Sequence, residues 1–372
     1  MVELSYDDIN LLIALQDHPL ASDSYLAKQI GVSQPTATSR LNHLKEKISL
    51  YNVHCDLDPD ALGMEMVDAV LDIPTVQGLQ TLETLCEVHP YTVYRVRKFG
   101  RASGLFIQFR IPNGSEAFIE NLLKSCQKQK LISVFRILKR ASNVPRPIFT
   151  RTKLPAWNPS AMKWEFEWDV WNEKLEQASA ILPNIRRSES VLSELTGLDV
   201  KLLEELTQDA RQRNTDIMRK IGFEVGTPGL PQKVSRRLKF LKEKTVAGYR
   251  VFLNWEVFDT YHTFVFICKA SKEDTACLYN HLSVNPIPFQ SSFVILEDGY
   301  FWAVQSPPSH FSNVAKVVWK YSEARELLLL DYKTSEVYGL WSETFDSSAH
   351  SWRTTIMKPE SIFAAISNYE HK

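Results

Sequence analysis

Apolar residues near the start of the chain recur at helical spacing. Between residues 30 and 48 they step by four, three and four positions, which places them on one face of a helix. These residues are Ala37, Leu41, Leu44 and Ile48. Gly31 suits the positive φ that ends a preceding helix, and Ser33 suits the cap of the next one, with Pro35 in its first turn. The pattern predicts the turn and second helix of a helix-turn-helix.

The polar positions of this helix lie off the apolar stripe. They are short polar or basic side chains of the kind that contact base edges and phosphates. Those predicted to bind DNA are Gln34, Thr36, Ser39, Arg40, His43 and Lys47. An ordinary amphipathic helix with a solvated polar face is the alternative. The sequence therefore predicts double-stranded DNA as a partner of this helix.

From residue 51 the pattern changes to a mixture of strands and helices. Strands are predicted at 64–73, 92–98, 105–111 and 131–138, and helices at 76–86 and 116–128. The resulting β-α-β-β-α-β order is that of a ferredoxin-like sandwich.

The second half of the chain repeats the first. Leu195–Leu206 matches Leu4–Leu15, and Arg236–Lys244 matches Ser39–Lys47, with the extra residues falling in the Gly/Pro-rich turn at Phe223–Leu230. An aromatic hairpin at Trp157–Trp164 recurs at Phe345–Trp352. We therefore predict an α+β fold made by tandem duplication. Each repeat holds a (winged) helix-turn-helix, a ferredoxin-like βαββαβ sandwich and an aromatic hairpin.

Six segments follow from this duplication. They are a helix-turn-helix domain at 1–50, a ferredoxin-like domain at 51–142, a Trp-rich hairpin and linker at 143–190, a second helix-turn-helix domain at 191–248, a second ferredoxin-like domain at 249–335, and a C-terminal hairpin and helix at 336–372. Tryptophans at 157, 164, 168 and 171 could stack on bases, but packing of the hairpin against the sandwich is the commoner role.

The second recognition helix is more basic than the first. Its residues predicted to bind DNA are Lys233, Arg236, Arg237, Lys239 and Lys244. Lysine and arginine in such number favour phosphate contacts over base reading. A solvated helix face is the alternative.

Composition narrows the function classes. A chain of 372 residues suggests several domains, and a net charge of −1 confines any nucleic-acid affinity to local patches. The five cysteines are unclustered, and no apolar run is long enough to span a membrane. We therefore expect a cytoplasmic protein without membrane contact, metal or cofactor.

The stretch 30–47, with Val-Ser-Gln-Pro-Thr at 32–36, resembles the helix-turn-helix of the Lrp/AsnC (feast/famine) regulators, and the following sandwich is similar to theirs. The resemblance implies a transcriptional regulator. Such proteins dimerise through the sandwich, so a second copy of this chain is a candidate partner.

The same family often binds small effectors near a Gly-x-x-Asp segment between two strands. The matching segments here begin at Gly104 and Gly299, and neither has an acid at its fourth position. The resemblance thus implies a small-molecule effector site at Gly104, Phe106, Gly299 and Phe301. The alternative is that the glycines form hairpins and the aromatic residues belong to the core.

Three functions remain open. The first is a DNA-binding transcriptional regulator that is not an enzyme, which is the main prediction. The second is an enzyme, because siroheme decarboxylases resemble the same two-part architecture, and it would need a porphyrin pocket with His and Arg groups. The third is an architectural or partner-binding protein.

Overall fold

A computed structural model describes residues 4–370, except residues 48, 159, 162, 186, 225 and 254–261. The first head consists of the helices α1 (Tyr6–Asp17), α2 (Asp23–Ile30) and α3 (Gln34–Asn42). Gly31 ends α2 with a φ of 77°, and the Ser33 side chain accepts a hydrogen bond from the backbone N–H of Thr36 at 3.3 Å. The predicted turn and cap are therefore present.

The first head leads into the strand β1 (Tyr51–Leu57), which has no counterpart among the predicted elements. The first sandwich then consists of β2 (Met64–Asp72), α4 (Val76–Val88), β3 (Thr92–Phe99), β4 (Gly104–Pro112), α5 (Glu116–Lys128) and β5 (Val134–Leu138). The predicted β-α-β-β-α-β order is confirmed.

A connecting segment separates the two repeats. It contains β6 (Ile148–Thr150), β7 (Trp157–Asn158), β8 (Lys163–Trp164) and α6 (Trp168–Glu176). In the predicted hairpin, Trp157 pairs with Trp164.

The second repeat has the same order of elements. Its head is α7 (Gly197–Gln208), α8 (Asn214–Lys220) and α9 (Leu230–Lys244), followed by β9 (Val246–Leu253). Its sandwich is β10 (His262–Lys269), α10 (Lys272–Val284), β11 (Gln290–Leu296), β12 (Gly299–Ser306), α11 (Pro308–Lys320) and β13 (Ala324–Val337). The chain closes with β14 (Phe345–Asp346), β15 (Ser351–Trp352) and α12 (Pro359–Glu370). Phe345 pairs with Trp352 in the second predicted hairpin.

The two heads share one antiparallel ribbon. β1 pairs with β9 from Tyr51 opposite Leu253 to Leu57 opposite Val246, and we call this pair the inter-head ribbon. In a winged helix-turn-helix the wing is a hairpin within one head. Here a single ribbon takes its place, with one strand from each head, which corrects the predicted wing. Arg211 of the second head also bonds to Asp23 of the first at 2.8 Å. The heads are thus held to each other.

One sheet joins the two sandwiches, in the strand order β5-β2-β4-β3-β13-β10-β12-β11-β6. Arg140, just after β5, bridges to Leu296 on β11, so the sheet curls until its edges meet. The strands enclose an apolar cluster that we call the inner core. Its buried members are Val70, Val96, Phe106, Leu138, Val265, Val294, Leu296, Phe301, Leu328 and Leu330. Helices cover the opposite face of the sheet.

Each repeat covers the other with the segment that follows its sandwich. The Trp168 and Trp171 side chains of α6 donate hydrogen bonds to His310 Nδ1 at 2.9 Å and to the carbonyl of Asn285 at 2.8 Å, both in the second repeat. In return α12 packs on α4 and α5, and Trp352 Nε1 donates to the carbonyl of Leu62 at 2.7 Å. We call these two pieces the exchanged segments.

Candidate functional site

The first recognition helix presents most of its predicted DNA-binding residues to solvent. Gln34, Thr36, Ser39 and His43 are exposed, whereas Arg40 is half-buried. The Lys47 side chain lies outside the described residues. A polar surface is thus available on α3, but its arginine is not part of the exposed set.

Arg40 is bound within its own head. Its Nη1 donates to Ser5 Oγ at 2.7 Å and to Asp8 Oδ1 at 3.0 Å, and its Nη2 lies 3.3 Å from Asp7 Oδ2. Burial alone would raise the pKa of Asp8, but hydrogen bonds from Ser5 and Arg40 bring it below its usual value. Asp8 also completes the capping box of α1, so this guanidinium ties α3 to the start of α1.

The second head repeats this arrangement. Arg237 Nε donates to Asp199 Oδ1 at 2.7 Å, and its Nη2 donates to Oδ2 at 2.8 Å. Asp199 is fully buried and completes the capping box of α7. Two side chains predicted to contact DNA therefore have structural partners at matching places. Sequence carried a signal for this pairing, since both the Asp and the Arg recur in the repeat alignment.

The other basic residues of α9 form an exposed face. Lys233, Arg236, Lys239 and Lys244 point into solvent, on the side opposite the buried Val234, Leu238 and Leu241. Among the described residues, the one ion pair made by this set joins Lys239 to Glu243 at 3.9 Å, and a pair this exposed is weak. This surface offers several free cations along one helix.

Two of the four predicted effector residues, Phe106 and Phe301, meet in the inner core, whereas Gly104 and Gly299 lie at its opposite ends. A Cβ on Gly104 would lie 1.9 Å from the carbonyl oxygen of Leu71, and one on Gly299 would lie 2.1 Å from that of Cys268. Both glycines thus permit a close approach of neighbouring strands. Phe106 and Phe301 are buried and stack with their ring centroids 5.3 Å apart. The structure therefore brings together the two aromatic residues of the predicted effector site, and they pack against each other.

The inter-head ribbon carries a half-exposed group of polar and aromatic side chains that we call the ribbon cluster. It consists of His54, Asp56, Phe149, Arg250 and Phe252. The Arg250 guanidinium lies 4.2 Å from the centroid of the Phe149 ring and 5.3 Å from that of Phe252, and its Nε donates to Asp56 at 2.8 Å. The cluster combines a cation with flat apolar surface.

His54 has a defined tautomer in this cluster. Its Nδ1 lies 2.8 Å from the backbone carbonyl of Thr207, and because a carbonyl only accepts, Nδ1 carries the proton. Burial lowers the pKa of His54, and the nearby Arg250 lowers it further, so the ring is neutral at pH 7. Its Nε2 lone pair is thereby available as a base or ligand. No motif in the sequence marks this residue.

Arg110 is another cation, besides Arg250, that no sequence motif marks. It stands on β4 within an apolar strand, and only 9 % of it is exposed. No ion pair or side-chain hydrogen bond reaches it from the described part of the chain, and its Nε is buried without a partner. Burial lowers the pKa of Arg110 to about 10, against the influence of Cys55 and Asp56. The only sign of this residue in the sequence is that a charged side chain occupies a position within an otherwise apolar strand.

Among the described residues, no three His, Cys, Asp or Glu side chains are grouped so as to hold a metal ion. None of the described helices has the length and apolar character needed to cross a membrane. The five cysteines are free thiols.

Comparison with known proteins gives matches of structure alone. No family model matches the chain, and no curated protein matches it in sequence. The crystal structure of the siroheme decarboxylase NirDL aligns over 99 % of this chain and 100 % of its own, with a TM-score of 0.54 at 11 % identity. The same enzyme in co-complex with an iron-uroporphyrin III analogue gives a TM-score of 0.55 at 10 % identity, over 98 % and 99 % of the two chains. E. coli AsnC aligns over 39 % of this chain and 97 % of its own, with a TM-score of 0.31 at 19 % identity.

At these identities the full-length matches show the fold, a tandem pair of helix-turn-helix and ferredoxin-like domains. They also correct one expectation. The sequence-based prediction that the chain is not an enzyme is overturned, because two structures that match over nearly the whole chain are those of a siroheme decarboxylase.

Proposed function

We propose that this protein is an enzyme that acts on a siroheme-type tetrapyrrole and removes side-chain carboxylates as carbon dioxide. The observation that carries the proposal is the full-length similarity to siroheme decarboxylase NirDL, which spans both repeats. In such a reaction a carbon–carbon bond to the carboxylate breaks, carbon dioxide leaves, and a proton takes its place.

The ribbon cluster offers chemistry that suits this substrate class. A siroheme-type tetrapyrrole is a large, flat ring with several carboxylates at its edge. Phe149 offers a ring face that is half exposed, Arg250 a cation beside it, and His54 a lone pair of fixed orientation. These are the His and Arg groups that the enzyme alternative requires. We assign the ribbon cluster as the place where such a ring binds.

Binding and turnover test the proposal directly. The purified chain is titrated with iron-uroporphyrin III and with siroheme without oxygen, and the absorption of the tetrapyrrole is followed. We expect a saturable spectral change and, with siroheme, products that have lost carbon dioxide by mass spectrometry. A chain that binds neither compound would contradict the proposal.

Variants locate the site. Arg250→Ala and His54→Ala should weaken tetrapyrrole binding by roughly tenfold or more, because a hydrogen bond to a charged group contributes about 1.5–3 kcal/mol. Arg213→Ala and His18→Ala are matched controls on the surface of the heads and should leave affinity unchanged. Equal losses in all four variants would place the ring elsewhere.

A second candidate function is DNA binding, and the exposed basic face of α9 favours it. Arg236→Ala/Lys239→Ala should weaken binding to all DNA sequences alike. The slope of log affinity against log salt should fall by roughly one to two units, because two phosphate contacts are lost. Lys272→Ala/Lys316→Ala, which removes two exposed lysines from the helices that cover the sheet, is the control. An unchanged slope would remove α9 from any DNA interface.

A further inference from the structure

The position of Arg110 on the closed sheet is well defined. Side chains alternate along β4, so Arg110 lies on the same face as Phe106, four residues earlier, and points to the enclosed side. It stands opposite Met66 of β2 near one end of the inner core. Its charge is therefore directed toward the enclosed face of the sheet and not toward the helices that cover the other face.

The duplication gives Arg110 an exact counterpart. Gly104 and Gly299 occupy matching places, since each would clash with the carbonyl of the neighbouring strand if it carried a Cβ. Six residues after each glycine stand Arg110 and Gln305. Gln305 is also buried, at 5 % exposure, and its Oε1 has no partner in the described part of the structure. The repeats thus share an unsatisfied polar atom at one position, a donor on Arg110 and an acceptor on Gln305, and only the first side chain is charged.

The two positions lie at opposite ends of the inner core. Leu330 on β13 pairs with Lys98 of the first sandwich and with Thr263 of the second. Thr263 is opposite Gln305, and Lys98 is at the end of β3 that is opposite Gly104. Gln305 therefore shares an end with Gly104, and Arg110 lies at the other. Thr263 Oγ1 beside Gln305 is buried and unpartnered as well.

A guanidinium that is only 9 % exposed, and whose Nε has no partner among the described residues, is costly because its charge has lost most of its water and no ion pair replaces it. Asp56 is near enough to influence Arg110 electrostatically, but within the described part of the chain it pairs with Arg250 and makes no hydrogen bond to Arg110. The nearby Lys242 adds positive charge to the same region, as its influence on the Cys55 thiol indicates. An anion at Arg110 would meet a fork of N–H donors in a region that water hardly reaches.

We propose that Arg110 forms a carboxylate-binding site at one end of the inner core, and that the duplicate position at Gln305 has lost it. Each chain then binds one carboxylate with a bidentate guanidinium contact and offers only neutral polar groups at the other end. This site adjoins the ribbon cluster, whose Asp56 influences Arg110, and the ligand is either a free small carboxylate or a carboxylate arm of a larger molecule.

The test exchanges the two residues. Wild type, Arg110→Gln and Gln305→Arg are titrated with sodium malonate at constant ionic strength, with sodium chloride as the control, by calorimetry. We expect one malonate per chain for wild type, a loss of affinity of roughly tenfold to hundredfold in Arg110→Gln, and a second site in Gln305→Arg. Thermal unfolding without ligand should show Arg110→Gln to be at least as stable as wild type, because an unpaired charge is removed.

A second arm identifies the source of the carboxylate. If iron-uroporphyrin III competes with malonate, the ligand is an arm of the tetrapyrrole, and if both bind together it is a free acid. Equal malonate binding by wild type and Arg110→Gln, or lower stability of Arg110→Gln without any change in binding, would overturn the site. Tetrapyrrole turnover without malonate binding would refute this site alone and leave the proposed function intact.

Discussion

The two repeats have the same order of elements but differ in the charge of their inner faces. In the first, Asp68 accepts hydrogen bonds from Gln108 at 2.7 Å and from Arg140 at 2.7 Å. The matching positions in the second repeat are occupied by Val265, Ala303 and Leu330, which are apolar.

The heads show the opposite behaviour. Asp8 with Arg40 and Asp199 with Arg237 occupy matching places and make the same contact. A pair that ties two helices together has been kept in both copies, whereas the hydrogen-bonded group around Asp68 is found in only one. The difference teaches that the repeats share the groups that hold each head together and have diverged in the polar groups on the inner face of the sheet.

The largest expected effect tests whether the repeats form one folding unit. Phe106→Ala and Phe301→Ala should each lower the free energy of unfolding by about 3–5 kcal/mol, because each removes one buried ring of the same stacked pair. The double variant should cost less than the sum, because the second truncation no longer loses the stacking contact. Chemical denaturation measures all three. Two separate unfolding transitions in wild type would show that the repeats fold independently.

The next effect sharpens the comparison of the heads. Asp199→Ala should cost about 3 kcal/mol, as expected when a buried partner is removed from an ion pair. Asp8→Ala should cost about 2 kcal/mol, because Arg40 keeps Asp7 while Arg237 keeps no other carboxylate among the described residues. Thermal unfolding of both variants, with Asp60→Ala as an unrelated control, checks the order. A reversed order would show that the extra carboxylate of the first head contributes nothing.

The smallest effect concerns pH. Burial lowers the pKa of His89 to about 3, from an ordinary value of 6.5, whereas the second repeat has Asn285 at this place. Below about pH 6.5 His89 is protonated in the unfolded chain, whereas in the folded chain it stays neutral until about pH 3. The free energy of unfolding therefore falls as the pH decreases through that window. The loss should be about 2 kcal/mol between pH 7 and pH 5.

His89→Asn, which copies the residue of the other repeat, should remove this part of the acid sensitivity. Denaturation midpoints at pH 7 and pH 5 measure it, with His18→Asn as the control. The prediction is wrong if wild type and His89→Asn lose the same stability on acidification.

Much of the local structure could be predicted from the sequence. Gly31 and Ser33 define the recognition turn through backbone preferences that act over a few residues, and the periods of the strands and helices define both sandwiches. The duplication was visible because both copies kept the same spacing. Such signals are local, and the structure agrees with them.

The contacts between the repeats could not be predicted in this way. The pairing of β1 with β9 and of β3 with β13 joins residues that are far apart in the chain, and a strand's period does not name its partner. The ribbon cluster depends on that pairing, since His54 and Arg250 meet only across the ribbon. Arg110 could not be predicted as a site, because its burial without a partner for Nε is a property of the folded chain.

The exchanged segments have a consequence for the way the protein is made. The helix α12, which covers α4 and α5 of the first repeat, follows them in the chain only after the whole second repeat. The first sandwich therefore emerges from the ribosome long before α12, which shields it, has been synthesised. During translation its helical layer stays open, and a chaperone or another nascent chain can reach it. A helix made after the second repeat thus completes a layer that was begun in the first.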